Sequence, residues 1–310
     1  MTATRHSKLE QRGLLFFEGV DSAAFLHSQV TCDVNNLAPN AATYGAYCTP
    51  KGRALATFLL CPAGSGYAMH MPRALVEPVR KRLAMYILRA RVQATDRTSE
   101  HAQYGIAGPN AGLILERLLG ATPGAALETT RSDHGIAVRV PQNRYLLIVP
   151  HDYREAAERV LGEASQEAAE SWWDELEIAA GIAAVLPATQ EQFVPQMLNL
   201  DATGGVSFSK GCYPGQEIVA RMHYLGRLKE RMFRARVSAA TMPRAGDKVY
   251  GSDLGAQAAG MVVNAAPANG AYEVLAVIQL SSASAGPVRL GSAEGPELVV
   301  EELPYALPQK

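Results

Sequence analysis

The run Lys210-Gly211-Cys212-Tyr213-Pro214-Gly215-Gln216-Glu217 sets a thiol between two glycines, and Ile218-Val219-Ala220-Arg221 follows it. Gly211 and Gly215 allow backbone conformations and close approaches that a Cβ obstructs, while Pro214 suits a first helical residue. A helix from Pro214 to about His223 would turn its N-terminal amides toward Cys212, and Lys210 would add positive charge; both favour the thiolate. Glu217, in the first turn, stabilises the helix but opposes thiolate formation. The chemistry this offers is that of a cysteine acting covalently, as a transient cluster ligand or as a redox sensor. The plainer alternative is a small residue filling a turn whose Gly and Pro are there for geometry alone.

No other cluster of residues competes with it. Cys32, Cys48, Cys61 and Cys212 form no CxxC pair and no zinc spacing, which speaks against structural zinc and a disulfide framework. The histidines at 6, 27, 70, 101, 134, 151 and 223 show neither HExxH nor His-x-His spacing. His223, eleven residues from Cys212 and on or just after the helix that follows it, could reach a substrate near the thiol, although eleven residues of straight helix span about 16 Å and a direct dyad does not follow. The absence of GxSxG, Walker and GxGxxG patterns argues against a serine hydrolase, a P-loop NTPase and a typical Rossmann enzyme.

The elements that must hold this segment alternate. Gly13 to Phe17 is a short apolar strand, and Asp21 can cap a helix carrying Ala24, Phe25 and Val30. Tyr44 to Thr49 and Arg53 to Cys61 are β-prone runs joined by Pro50-Lys51-Gly52, a hairpin turn. A strand over 66–71 precedes a helix over 72–89 with Leu75, Val79, Leu83, Tyr86 and Ile87 on one face. Strands over 105–107, 136–140 and 145–149 and helices over 110–119 and 152–161 repeat the alternation, which indicates α+β mixed sheets rather than a doubly wound parallel sheet. Beyond residue 230, short strands over 232–237, 248–250, 261–263, 272–280, 288–290 and 298–303 read as a small β-barrel or sandwich. The expected division is therefore 1–230 for an α+β region and 231–310 for the barrel.

With 48% hydrophobic and 19% charged residues over 310 positions, the chain can bury an ordinary core, which excludes a disordered tail. A net charge of −1 gives no whole-chain basic excess that would mark a nucleic-acid binder. Charge is segregated, with nine acidic and two basic side chains over 151–180 against four and nine over 201–250. Two basic stretches, Arg80-Lys81-Arg82 with Arg89 and Arg91, and Arg221, Arg227, Lys229, Arg231, Arg234 and Arg236, could attract a polyglutamate tail, an RNA backbone or an acidic protein. A solvated face is the commoner meaning of such stretches, and with no RNA-binding motif beside them direct tRNA contact is not expected. The polar start and the lack of a twenty-residue apolar run lead us to expect a cytoplasmic protein with reduced thiols and no membrane contact.

The octapeptide with its Val-Ala-Arg continuation resembles the signature of the YgfZ family of folate-binding proteins, relatives of the glycine-cleavage T-protein, an aminomethyltransferase. The resemblance extends through Phe193-Val194-Pro195-Gln196, Asn199-Leu200, Gly204-Gly205 and Val206-Ser207-Phe208, and on to Gly226-Arg227 and Arg231. Near the start, Gly19-Val20-Asp21, Phe25-Leu26, Gln29-Val30-Thr31, Asp33-Val34 and Lys51-Gly52-Arg53 fit the same pattern, so the likeness spans about residue 8 to Leu303-Pro304-Tyr305.

That resemblance implies a ring of α+β subdomains around a central folate-binding hole with a C-terminal β-barrel. It implies tetrahydrofolate or a derivative as ligand, held by Trp173, Asn199, Lys210, Gly211, Tyr213, Gly215, Gln216, Glu217 and Arg221, with Cys212 at the mouth. It also implies work on iron–sulfur client proteins, and through them tRNA modification such as methylthiolation. The chain departs from its relatives twice. Ala54-Leu55-Ala56-Thr57 stands where T-proteins carry an aspartate, so glycine-cleavage activity is not expected. Ala179 stands where many folate binders carry a Glu for the pterin edge. Three readings remain open: an accessory factor for iron–sulfur proteins, a folate-dependent one-carbon transferase, and a non-catalytic binding module.

Overall fold

The structure, a computed structural model, describes residues 3–226 and 228–308. It is a mixed α+β fold that closes with a six-stranded C-terminal β-barrel. The chain divides into two compact units and passes between them repeatedly: Asp33–Tyr44 and Phe58–Trp173 join the N-terminal stretch in the first, whereas Ser28–Cys32 and Gly45–Thr57 join everything from Asp174 onward in the second.

In the first unit, a six-stranded sheet runs in the order Gln166–Glu167, Arg5–Lys8, His101–Ala107, Arg144–Pro150, Gly135–Val140 and Thr129–Ser132. Helices Ala111–Leu119 and Arg154–Ala164 cover one face of it. Their apolar stripe of Ile114, Leu115, Leu118, Ala157 and Leu161 meets Tyr104, Ile106, Tyr145, Leu147 and Val149 in a buried core. Gly120 ends the first of these helices in the left-handed region, where glycine carries no Cβ penalty. A second sheet orders Thr43–Cys48, Ala54–Ala63, Gly66–Pro72, Arg12–Glu18 and Gln93–Asp96, and the tip of its first hairpin, residues 45–57, belongs to the second unit.

In the second unit, Glu230–Val237, Ala271–Gln279, Ala258–Ala268, Lys248–Gly251, Val288–Leu290 and Glu297–Glu301 form the closed barrel, which removes the exposed edges of an open sheet. Small and β-branched side chains fill it, among them Ala235, Val249, Val262, Val274, Ala276 and Ile278. The register shifts between Val262 and Asn264, and such a bulge re-aims a side chain. Asn264 then clasps the backbone of Ala184 from both sides, its Oδ1 accepting from the N–H at 2.8 Å and its Nδ2 donating to the carbonyl at 2.9 Å.

Several expectations shift at element ends. The helix after Asp21 covers only Ser22–His27, since Val30 pairs with Tyr47 in a bridge, and the Asp21 carboxylate accepts from the backbone N–H of Arg91 at 2.7 Å instead of capping the helix. The helix expected over 72–89 stops at Ala84, leaving Tyr86 exposed outside the stripe. The helix expected from residue 152 begins at Arg154, after a 3₁₀ turn over His151–Tyr153. Leu280 is not the end of a strand but the start of a short helix, Leu280–Ala285. No helix among the described residues is long and apolar enough to cross a membrane.

Candidate functional site

Cys212 is solvent-exposed, unlike Cys32, Cys48 and Cys61, which are buried. Burial pushes the Cys48 and Cys61 thiols up to about 12. The helix behind Cys212 is Gln216–Tyr224, so Pro214 lies outside it and Gly215 is the N-cap, at a φ of 84° that disfavours any residue with a Cβ. The first amide of the helix, on Gln216, donates to the carbonyl of Tyr213 at 3.1 Å and is thus taken by the turn itself.

Gly215 is fixed from outside as well as by its own φ. A methyl group built on it would lie 2.5 Å from the carbonyl oxygen of Thr49 and 2.6 Å from both Cα and N of Gly52. Gly52, at φ 70°, is likewise closed in by the Gly215 carbonyl at 3.2 Å and by Ile218. The hairpin turn Pro50-Lys51-Gly52 and the turn carrying Cys212, remote in sequence, therefore meet glycine against glycine. The hairpin is tied across its own neck, with Thr49 N–H donating to the Arg53 carbonyl at 2.8 Å and Gly52 N–H to the Thr49 carbonyl at 2.9 Å.

Lys210 does not direct its charge outward. Its buried ammonium donates to the carbonyls of Val30 at 2.6 Å and Cys32 at 3.0 Å and lies 5.0 Å from the centre of the Tyr213 ring. Tyr213 is buried beside Cys32 and Cys48, and burial raises its phenol pKa. Gln216 donates from Nε2 to the Lys210 carbonyl at 3.2 Å, closing the turn upon itself. Gly211, Glu217 and Arg221 are exposed alongside the thiol. His223 is half-buried, stacked on Phe208 at 3.7 Å between ring centres, which anchors the far end of the helix.

The approach to this segment is held by residues whose role the sequence did not disclose. Asn199, in the left-handed region and wholly buried, donates to the Met232 carbonyl at 2.9 Å and accepts from Arg231 at 3.3 Å. Arg231 makes a two-pronged pair with Asp201 at 2.7 and 2.8 Å and also donates to the Gln196 carbonyl at 3.0 Å. Gln196 passes the connection to the helix, donating to the Val219 carbonyl at 2.7 Å. Thr31 donates to the Gly205 carbonyl at 2.6 Å and accepts from the N–H of Ala46 at 2.8 Å. In the sequence Gln196, Asn199, Thr31 and Arg231 stood out through the family resemblance and not through any helical or strand period, and that resemblance gave Asn199 to the ligand rather than to this scaffold.

Trp173 lies in the first unit and is 1% exposed. Its ring rests on Gly105, where a methyl group would come within 2.2 Å of Cε3, and the Arg144 guanidinium sits 4.8 Å from its centre. The indole N–H finds no acceptor among the described residues. Ala179 ends the helix Glu170–Ala179, and Gly181 behind it, at φ 67°, is covered by Tyr305, whose hydroxyl donates to the Gly181 carbonyl at 2.8 Å. In the strand after the hairpin, Ala54, Leu55 and Ala56 are buried, and the Thr57 hydroxyl donates to the Ala183 carbonyl at 2.9 Å, so no carboxylate stands there.

Much of the basic character read from the sequence is neutralised. Arg80 and Lys81 pair with Glu77 at 2.6 and 3.4 Å, Arg91 with Asp21, and Arg234 with Glu273 and Glu301. Arg227 lies outside the described residues. No group of three or more His, Cys, Asp or Glu side chains gathers as metal ligands among the described residues.

Comparison with known proteins bears on these features together. Residues 10–141 match the GCVT N-terminal domain. The solved aminomethyltransferase T of the glycine cleavage system from Bartonella henselae superposes with a TM-score of 0.70 at 14% identity, over 98% of this chain and 86% of that one. The tRNA-modifying protein YgfZ of Colwellia psychrerythraea is 30% identical over 304 residues, 97% of this chain and 93% of its own length. That of Vibrio vulnificus is 33% identical over 230 residues, 74% of this chain and 68% of the relative. With a T-protein fold, a glycine-pinned exposed cysteine, and this likeness along nearly its whole length, the chain belongs to the YgfZ family.

Proposed function

We propose that the protein is an accessory factor that uses the Cys212 thiol and a folate of the tetrahydrofolate type to assist assembly or repair of iron–sulfur client proteins, and thereby tRNA modification. The observation that carries this is the exposed sulfur on a turn fixed by Gly215 against Gly52, in a chain whose relatives are named tRNA-modifying proteins. An exposed thiol on a rigid turn can present itself to a macromolecular client without a pocket closing over it. Gly211, Glu217 and Arg221 form the rim a client would meet, while Lys210, Tyr213 and Gln216 hold the turn in place and Asn199 holds the approach to it.

The residues fit a folate in part. Trp173 offers a buried N–H in want of an acceptor, yet its ring already carries Arg144, and Ala179 supplies no carboxylate for the amino edge of a pterin. Folate bound to this chain would supply a pterin and one-carbon chemistry; the protein's part is to bind and orient it. The buried Ala54–Thr57 stretch removes the carboxylate expected of an aminomethyltransferase, which favours the accessory role over one-carbon transfer.

Complementation tests the proposal. In cells lacking the protein, activity of iron–sulfur enzymes, a tRNA methylthiolase among them, is expected to fall, and wild type but not Cys212→Ser is expected to restore it. Restoration by Cys212→Ser removes the thiol from the mechanism. Titration with tetrahydrofolate tests the ligand separately, and no heat or fluorescence change at millimolar ligand removes folate.

A further inference from the structure

We infer that the first unit carries a binding site for a small anion that also bears a hydroxyl or amine donor, in a cleft built from Lys8–Arg12, Arg73, the 98–103 segment, His151 and Arg154. The cleft encloses about 550 Å³, inside the range of about 300–1,000 Å³ typical of small-molecule sites. It is distinct from the Cys212 turn, which belongs to the second unit, and the inference does not depend on the role proposed there.

The charge of the lining argues for an anion. Lys8, Arg12, Arg73 and Arg154 face one carboxylate, Glu10, among the lining residues. Three of the four cations have carboxylate neighbours: Lys8 pairs with Glu10 at 3.3 Å, Arg154 with Glu158 at 2.9 Å, and Arg12 lies 3.9 Å from Glu170. Glu170 is itself engaged by the backbone N–H groups of Glu10 and Gln11 at 2.9 and 3.0 Å. Arg73 makes no ion pair among the described residues; its guanidinium makes one long contact, 3.5 Å to the Glu10 carbonyl. A guanidinium with most of its donors uncommitted, on the wall of a cleft, is suited to a forked grip on a carboxylate or phosphate.

The imidazole of His101 argues for the second part. Its ring is stacked on Phe16, and Nδ1 lies 3.2 Å from the Arg97 carbonyl, which can only accept, so Nδ1 carries the proton. Burial holds the pKa of this histidine below its ordinary value, and a neutral ring leaves Nε2 as a lone-pair acceptor. Gln103 cannot adapt to a ligand, because its amide is tied to His70 at 2.7 Å and to the Arg12 carbonyl at 3.1 Å. The cleft thus pairs a forked cation with a fixed acceptor, the complement of a hydroxylated or aminated oxyanion.

Calorimetric titration of the full chain with ribose 5-phosphate and with citrate distinguishes phosphate from carboxylate as the oxyanion. At least one probe is expected to bind with a Kd below about 1 mM at low salt and more weakly as salt rises. Arg73→Ala is expected to weaken that binding about tenfold or more, the loss of charge-assisted hydrogen bonds. Arg236→Ala, on a barrel strand of the second unit, is expected to leave it unchanged. No saturable heat with either probe, or equal affinity in wild type and Arg73→Ala, overturns the inference. Should Arg73→Ala fail to fold, His101→Phe serves instead, since it keeps a ring on Phe16 and removes the Nε2 acceptor: a several-fold loss supports the site and an unchanged Kd overturns it.

Discussion

Replacing Gly215 with alanine places a methyl group where Thr49 and Gly52 already stand, in a backbone region that disfavours side chains. We expect Gly215→Ala to lose about 2 kcal/mol or more in urea unfolding and to lose complementation while keeping its thiol. A variant of wild-type stability would show that the contact is not needed. The octapeptide by itself makes this turn legible, since two glycines and a proline around a cysteine demand a special backbone. Lys210 was not legible in the same way. A lysine next to a thiol in sequence reads as its electrostatic partner, but the carbonyls of Val30 and Cys32, contributed by a distant segment, take the ammonium inward. Trp173 stood in the sequence as a ligand residue through the resemblance alone, and its burial against Gly105 with Arg144 on the ring could not be read from one helix.

Among elements, the segment from Pro195 to Asp201 works as a bracket between the first barrel strand and the helix behind Cys212. Its centre is the pair of Arg231 and Asp201, side chains 10% and 5% exposed. Removing one partner from such a pair leaves a buried charge uncompensated, so Asp201→Ala is expected to cost about 3 kcal/mol in urea unfolding. Hydrogen exchange should rise at Val219 and its neighbours in that variant; unchanged protection there would disconnect the bracket from the helix. The barrel strands were readable because alternation and turn residues are local signals. Boundaries were less so. The 72–89 apolar period continues past Ala84, where the helix ends, because periodicity registers side chains and not the point at which backbone hydrogen bonding stops. The short strands Arg5–Lys8 and Gln93–Asp96 escaped notice because they are completed by partners far along the chain.

For the whole molecule, the interleaving of two units was the least legible feature, since five- and thirteen-residue excursions such as Ser28–Cys32 and Gly45–Thr57 leave no mark on composition. Stability across pH is a property at this scale. Burial lowers the pKa of both His6 and His101 from 6.5. The unfolded chain then binds more protons than the folded one below that value, so this contribution is intact above about pH 6.5 and is lost as pH falls through it. We expect the urea midpoint to drop between pH 8 and 5.5, and a His6→Gln/His101→Gln double variant to show a shallower drop. Parallel curves for the two proteins would rule the histidines out.

The abutment of Gly52 and Gly215 binds the fortunes of two turns into one. Neither position has room to grow, so an engineer who wishes to widen, tilt or decorate the platform beneath the sulfur cannot begin with the loop that bears it. Each such redesign has to reshape the hairpin tip in the same stroke, as one edits a lock together with its key.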